Sequence, residues 1–310
     1  MKLIELFAGI GTQRKAMPWV EVVGISEIDE RPLKIYKHLF GEVNNFGDIT
    51  KIDSLPKADI WTYSFPCTDL SIAGNKAGLQ GEKSSLIYEV YRLLLSSEKP
   101  KILIMENVSN LVSINFIKGF EEWIALLGSL GYTTTWQKMK ANEYGGHTIR
   151  NRVFAVSVLN DKAFVFPKKI KSNKTVEDIL EPAADTYRVD EGFEYNGKTD
   201  YSKAVKIKDY HNGGQGNRIY AINAPGITLT ATGGGKGGSS GLYLRKEGIY
   251  KLSGLEMAKI MGWPREDALK MCEVATDREM GFVMGNGIDL PTFTTLCNEI
   301  YKQYFEKQGV

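Results

Sequence analysis

A thiol and a carboxyl each stand where an apolar run stops. Ile60-Trp61-Thr62-Tyr63 runs into Ser64-Phe65-Pro66-Cys67-Thr68, and Ile102-Leu103-Ile104-Met105 runs into Glu106-Asn107-Val108. Short apolar runs bounded by turn residues read as buried strands. Each would deliver its reactive group to a carboxyl edge, where open α/β sheets bind ligands. If the two strands are neighbours, thiol and carboxyl face one crevice. That is a nucleophile beside an acid or base, suited to a substrate that is attacked and protonated together. A buried structural cysteine is the plainer reading of Cys67 taken alone. Arg150 and Arg152 precede a further strand-like run at 153–158. Alternate positions share a face, from which two guanidiniums reach a phosphate or a base carbonyl; two solvated surface arginines fit the same spacing. Cys272 and Cys297 fall in helical-looking segments and read as packing residues.

These groups need a frame. Residues 2–6 predict a buried strand, followed by the glycine turn Phe7-Ala8-Gly9-Ile10-Gly11-Thr12 opening a helix. Such a turn lets a ligand approach the backbone and offers it helix N–H groups. Arg14 stands where a dinucleotide fingerprint wants its third glycine, so a simple tight turn remains the alternative. The strand at 22–26 ends in Glu27, where a ribose hydroxyl pair is usually held; beside Asp29 and Glu30 it also reads as a helix N-terminal acid. Residues 47–50 predict a short third strand whose Asp48 accepts from an adenine amino group or caps a turn. Together the three strand tips describe an adenosine-containing cofactor. The stretch 69–85, with Gly74, Gly78 and Gly81, is too long for a plain connection and reads as a lid or a disordered loop; its Lys76 and Lys83 suit phosphate. Helical spacing is expected over 32–40, 86–95, 116–130, 252–261 and 290–305, the last opened by Gly285-Asn286-Gly287, with another strand at 133–136.

The 310 residues are 43% hydrophobic and 25% charged, enough for one large or two ordinary globular domains. Three cysteines without a CxxC pair and three dispersed histidines predict no disulfide framework and no metal site, hence a reducing cytoplasm. No signal peptide or membrane span is expected. A net charge of +2 excludes indiscriminate polyanion binding but leaves room for a local basic face. From 167 to 250 the chain turns polar and glycine-rich, through Gly214-Gln215-Gly216-Asn217-Arg218-Ile219-Tyr220 and Gly233-Gly234-Gly235-Lys236-Gly237-Gly238. Flexible backbone carrying Gln, Asn and Arg suits phosphates and base edges, and an irregular loop region is the plain alternative. Three segments are therefore expected: a cofactor-binding catalytic domain at 1–166, a small β-rich domain at 167–250, and a return to the first at 251–310.

In order along nearly the whole chain, Phe7-Ala8-Gly9-Ile10-Gly11, Glu27, Asp48, Phe65-Pro66-Cys67, Glu106-Asn107-Val108, Arg150 with Arg152, Thr228-Leu229 and Gly285-Asn286 resemble the motifs of the C5-cytosine-specific DNA methyltransferases of the bacterial and phage, HhaI-like type. The segments 214–220 and 228–231 are similar to the recognition region of members that target GCGC. The resemblance implies a doubly wound, Rossmann-like domain binding S-adenosyl-L-methionine, and a second, small β-rich target-recognition domain. It implies a cofactor pocket of Phe7, Gly9, Gly11, Glu27, Ile28, Asp48, Ile49, Leu86 and Asn286. Cys67 would attack carbon 6 of a flipped-out cytosine, Glu106 would serve the ring, Arg152 would hold its carbonyl and Arg150 would support it. Ser71, Lys83, Gln215, Arg218, Tyr220 and Thr228 would meet double-stranded DNA at a short site containing GC or CG. A monomer with a possible cognate restriction endonuclease is the family-like expectation. Thr68, Ala73, Thr148 and Val283, and Gly287 after Asn286, depart from the usual pattern but remove neither nucleophile nor acid. A tRNA cytosine-5 methyltransferase shares fold and motifs. A nicotinamide oxidoreductase leaves Cys67, Glu106 and Arg152 without a role, and a catalytically silent DNA-binding relative predicts loss of Cys67 or Glu106.

Overall fold

The computed structural model describes residues 1–66, 86–211 and 214–306. Strands β1 (Lys2–Leu6), β2 (Glu21–Ser26), β3 (Ile60–Tyr63) and β4 (Ile102–Val108) run parallel. With β5 (Tyr132–Lys140) and β6 (Asn151–Leu159) they form a sheet ordered β2-β1-β3-β4-β6-β5, in which β6 is antiparallel to both neighbours. The parallel strands are apolar on both faces because both faces are covered. Ile4, Leu6, Trp61, Tyr63, Leu103 and Met105 pack on α3 (Ile87–Ser96) and α4 (Ile117–Ser129). Leu3, Ile60, Ile102 and Ile104 join the opposite core with α1 (Thr12–Ala16), α5 (Gly254–Ile260), α6 (Arg265–Val274), α7 (Asp277–Asn286) and α8 (Leu290–Tyr304). The C-terminal helices thus return to the first sheet: Trp19 lies against Tyr301 and Phe305, at ring-centroid distances of 5.1 and 5.9 Å. Helix α2 (Glu30–Phe40) is tied to α6 and α7 through His38–Glu273 at 2.7 Å and Lys34–Glu279 at 2.6 Å.

From β1 the chain steps outward to β2, then crosses back to β3 on the other side. The carboxyl ends of β1 and β3 therefore flank the point where strand order reverses, which opens a crevice there. The third strand expected at 47–50 is instead a single bridge, Ile25 with Asn45. Gly47, at φ 74°, turns the chain away, and Asp48 caps a one-turn 3₁₀ helix over Ile49–Lys51. The final helix also differs from expectation. Gly285 and Asn286 end α7, and Asp289 opens α8 by accepting from Thr292 N at 3.0 Å.

A second sheet, ordered β7-β11-β10-β9-β8, comprises β7 (Arg188–Asp190), β8 (Lys206–Asp209), β9 (Arg218–Ala221), β10 (Leu242–Arg245) and β11 (Gly248–Lys251). Its Ile219, Leu242, Leu244 and Ile249 form a small core of their own. On the other face Tyr220 and Tyr243 join the core of α5 and α7. The two glycine-rich stretches meet: a one-turn 3₁₀ helix over Gln215–Asn217 packs against an irregular loop around 233–238. Gly237 N donates to Gly216 O at 2.8 Å and Lys236 N to Asn217 Oδ1 at 3.1 Å, and a Cβ on Gly216 would collide with the Gly234 carbonyl. Among the described residues no helix is long and apolar enough to cross a membrane, and no three His, Cys, Asp or Glu side chains could hold a metal.

Candidate active site

The turn after β1 holds Phe7 at φ 57°, Gly9 at φ 59° and Gly11 at φ 80°. A left-handed phenylalanine is a strained conformation of the kind that gathers at functional sites. A Cβ on Gly9 would meet nothing within 4 Å, so that face of the turn is open. Gly11 is different: a Cβ there would strike the Tyr36 and Phe40 rings, so its glycine serves the packing of the turn on α2. Beneath the turn, Glu5 is wholly buried in β1, accepting from Tyr36 Oη at 2.6 Å and from Arg14 N at 3.0 Å. Since α1 has no side-chain cap of its own, Glu5 serves one of its unpaired first-turn N–H groups.

Glu27, at the tip of β2, accepts from Gly9 N (2.9 Å), Ile28 N (2.8 Å) and Asp29 N (2.8 Å). Burial raises its carboxyl, and these three donors restrain the rise. It locks the tips of β1 and β2 together while Ile28 stands 69% exposed beside it. Asn45, which the sequence did not single out, carries the bridge onward: its Oδ1 accepts from Glu27 N and Gly47 N, and its Nδ2 donates to Glu27 O. Only turn chemistry in Asn44-Asn45-Phe46-Gly47-Asp48 hinted at it. Asp48 is the cap its alternative reading proposed; its Oδ1 takes both the N–H and the hydroxyl of Thr50, which lower its carboxyl. Ile49 is buried in the core beneath the β1–β3 tips. Leu86 is half-buried at the start of α3, and Asn286 is exposed at the end of α7.

Across the crevice, Tyr63 of β3 is in register with Met105 of β4. The next residues, Ser64 and Glu106, are hydrogen-bonded through their side chains. Asn107 Nδ2 donates to Phe65 O at 3.1 Å, fixing the path toward Pro66. Cys67, Ser71 and Lys83, with Thr68, Ala73 and Lys76, lie outside the described residues. Glu106 is buried, and Arg152 Nε meets its Oε1 at 3.1 Å. Burial raises the Glu106 carboxyl; Arg152, Arg150 and Ser64 pull it back. A carboxyl so placed can carry a proton to a ring nitrogen and accept from an exocyclic amine, with a guanidinium beside it for a carbonyl oxygen.

Arg150 bears on Glu106 through its charge. It is 1% exposed, with Nη1 donating to Leu229 O (3.2 Å) and Nη2 to Gly285 O (2.9 Å) and Gly287 O (2.6 Å). Of the residues expected to meet DNA, Gln215 Nε2 donates to Thr228 O at 2.8 Å, joining two of them, and Arg218 lies 3.7 Å from Asp209. Tyr220 is a correction: it is 6% exposed, with its ring packed 6.0 Å from that of Tyr243. Both faces of β9 are covered, Ile219 by one core and Tyr220 by the other. Cys297 is fully buried, as its packing role requires, and burial pushes its thiol up. Cys272 is exposed on α6 and is not a core residue.

A family model described as C-5 cytosine-specific DNA methylase matches residues 1–302. Type II methyltransferase M.HhaI of Haemophilus parahaemolyticus is 31% identical over 277 residues, covering 85% of this chain and 84% of that protein. Type II methyltransferase M.NgoBI of Neisseria gonorrhoeae is 26% identical over 318 residues, covering 99% and 96%. The crystal structure of S. pombe Dnmt2 methyltransferase matches with a TM-score of 0.73 at 18% identity, over 97% of this chain and 98% of that one, a likeness of fold.

Proposed function

Because the chain belongs to the C-5 cytosine-specific DNA methylase family, we propose that it moves a methyl group from S-adenosyl-L-methionine to carbon 5 of a cytosine flipped out of a short duplex site. The observation that carries this reading is the buried Glu106–Arg152 pair at the carboxyl end of β4, beside the strand that leads to Pro66 and Cys67.

The residues around the β1 turn suit the methyl donor. The open face at Gly9 admits a ligand to the backbone, and the Glu27 carboxylate, whose Oε1 receives two backbone N–H groups and whose Oε2 receives one, keeps acceptor capacity on Oε2 for a ribose hydroxyl. Ile28 and Asn286 are exposed, and Leu86 is half-buried. When bound, S-adenosyl-L-methionine supplies an electrophilic methyl on a sulfonium.

Carbon 5 of cytosine is too weak a nucleophile to take that methyl unaided. In our reading the Cys67 thiolate attacks carbon 6, and the carbon 5–carbon 6 electron pair becomes available at carbon 5. Glu106 gives its proton to ring nitrogen 3 as negative charge develops there, and Arg152 donates to the carbonyl oxygen. After methylation carbon 5 loses its proton to a base, the carbon 5–carbon 6 double bond re-forms, Cys67 leaves with its electron pair, and the proton on ring nitrogen 3 returns to Glu106. Attack perpendicular to the ring is impossible inside a stacked duplex, which is why the base must leave the stack. A restriction endonuclease acting on the same site would complete the system; the type II names of the relatives support this companion.

The test is incubation with S-adenosyl-L-methionine and unmethylated genomic DNA, followed by base-resolution detection of 5-methylcytosine. Methylation confined to one short motif is expected, and Cys67→Ser should abolish it with cofactor binding intact. A Cys67→Ser protein that still turns over refutes the nucleophile. Methylation of tRNA with none on any duplex refutes the DNA substrate.

A further inference from the structure

We infer that Arg150 is a positioning residue that couples cofactor binding to DNA binding, rather than a group acting on the base. This rests on the proposed function only for the roles of Asn286 and Thr228; the geometry is independent of it. The two carbonyls held by Arg150 Nη2, those of Gly285 and Gly287, flank Asn286 at the end of α7. Helix ends leave carbonyls without intrahelical partners, and a cation there is favoured by the helix dipole as well. The carbonyl held by Nη1 belongs to Leu229, the neighbour of Thr228. One planar fork thus grips a cofactor-side segment and a DNA-side segment at once, which a lysine ammonium on a single stem cannot reproduce.

The two segments also touch directly. A Cβ on Gly285 would strike the backbone of Thr230 and Ala231, so the end of α7 lies flat on that stretch. Just upstream of Arg150, Ile149 N donates to Gly226 O at 2.8 Å and Gly226 N to His147 O at 2.7 Å. The path to Thr228 is therefore hydrogen-bonded along the backbone as well. Two residues downstream, Arg152 meets Glu106. A shift of Asn286 on cofactor binding reaches Leu229 through the Arg150 fork as well as through that direct backbone contact, and the reverse must hold equally, because coupling between two binding sites is reciprocal.

The test measures the affinity of the whole protein for S-adenosylhomocysteine by calorimetry, with and without a saturating methylatable duplex, in wild type, Arg150→Met and Arg150→Lys. Coupling of ordinary size is about 5- to 150-fold. Wild type should show a ratio in that range. Arg150→Lys, which keeps the charge but loses the fork, should bring the ratio well below the wild-type value, with affinity for S-adenosylhomocysteine alone changed less than about threefold. Arg150→Lys is the decisive variant if Arg150→Met folds poorly. A wild-type ratio of 1, an unchanged ratio in Arg150→Lys, or a fall in saturated kcat at constant ratio each overturns the inference, the last by making Arg150 a catalytic residue. Because the readout is binding, failure of the functional reading shows separately, as coupling without any methylation of DNA.

Discussion

Replacing Glu5 by glutamine should stabilise the protein at alkaline pH and do little in acid. Glu5 has no exposed surface, and burial raises its carboxyl from the ordinary 4.5 to about 7, against the pull of Tyr36 Oη, Arg14 N and the Arg14 guanidinium. Below pH 4.5 the group is neutral in both folded and unfolded chains. Between 4.5 and 7 the folded chain keeps a proton that the unfolded chain has lost, so stability falls as pH rises through that window and stays lowered above it. At about 1.4 kcal/mol per pH unit, the full penalty is about 3 kcal/mol. Glutamine removes the ionisation and keeps the hydrogen bonds: its oxygen accepts from Arg14 N, and its amide donates to the Tyr36 hydroxyl, which can rotate to accept. Urea unfolding at several pH values should show Glu5→Gln ahead of wild type by about 1 kcal/mol at pH 5 and about 3 kcal/mol at pH 8. A difference that is flat with pH, or a variant less stable at pH 8, would mean that Arg14 and Tyr36 hold Glu5 ionised, and the reasoning fails.

Glu106→Gln should lower kcat at least about 100-fold at neutral pH, the scale of a lost general acid. Because burial raises the Glu106 carboxyl and its neutral form is the proton donor, the wild-type rate should fall on the alkaline side, and this limb should vanish from the variant's pH–rate profile. Glu256→Ala strands the buried Arg245, now 2.7 Å from the Glu256 carboxylate, and should cost about 3–5 kcal/mol in urea unfolding. Changing both residues together, Arg245→Met with Glu256→Leu, should recover most of that loss; a double variant as unstable as the single one would contradict the desolvation argument.

The strands were legible because β3 and β4 are apolar on both faces, a pattern that needs cover from both sides. The chemistry was legible where a polar residue ended such a run, as at Glu27 and Glu106. What escaped depended on partners far away in the chain. Glu5 reads as one charge within a strand, and its partners stand 9 and 31 residues on. Arg150 and Arg152 look equivalent by spacing, yet one spans 135 residues to Gly285 and the other pairs with Glu106. The third strand failed locally, because a left-handed Gly47 and an Asp48 cap favour a turn over continued pairing. Tyr220, which the resemblance placed at DNA, is buried because both faces of β9 are covered.

The meeting of the two glycine-rich stretches bears on how such a protein can change over generations. Main-chain hydrogen bonding and close backbone approach hold the stretch around 216 to the stretch around 234–238, and Asn217 adds one amide contact. Lys236 is carried on that contour, while Gln215 ties it to the Thr228 carbonyl and Arg218 stands 3.7 Å from Asp209. Substitution at Gly216, Gly233 or Gly237 would therefore require the loop to be rebuilt, whereas Lys236 can change without it.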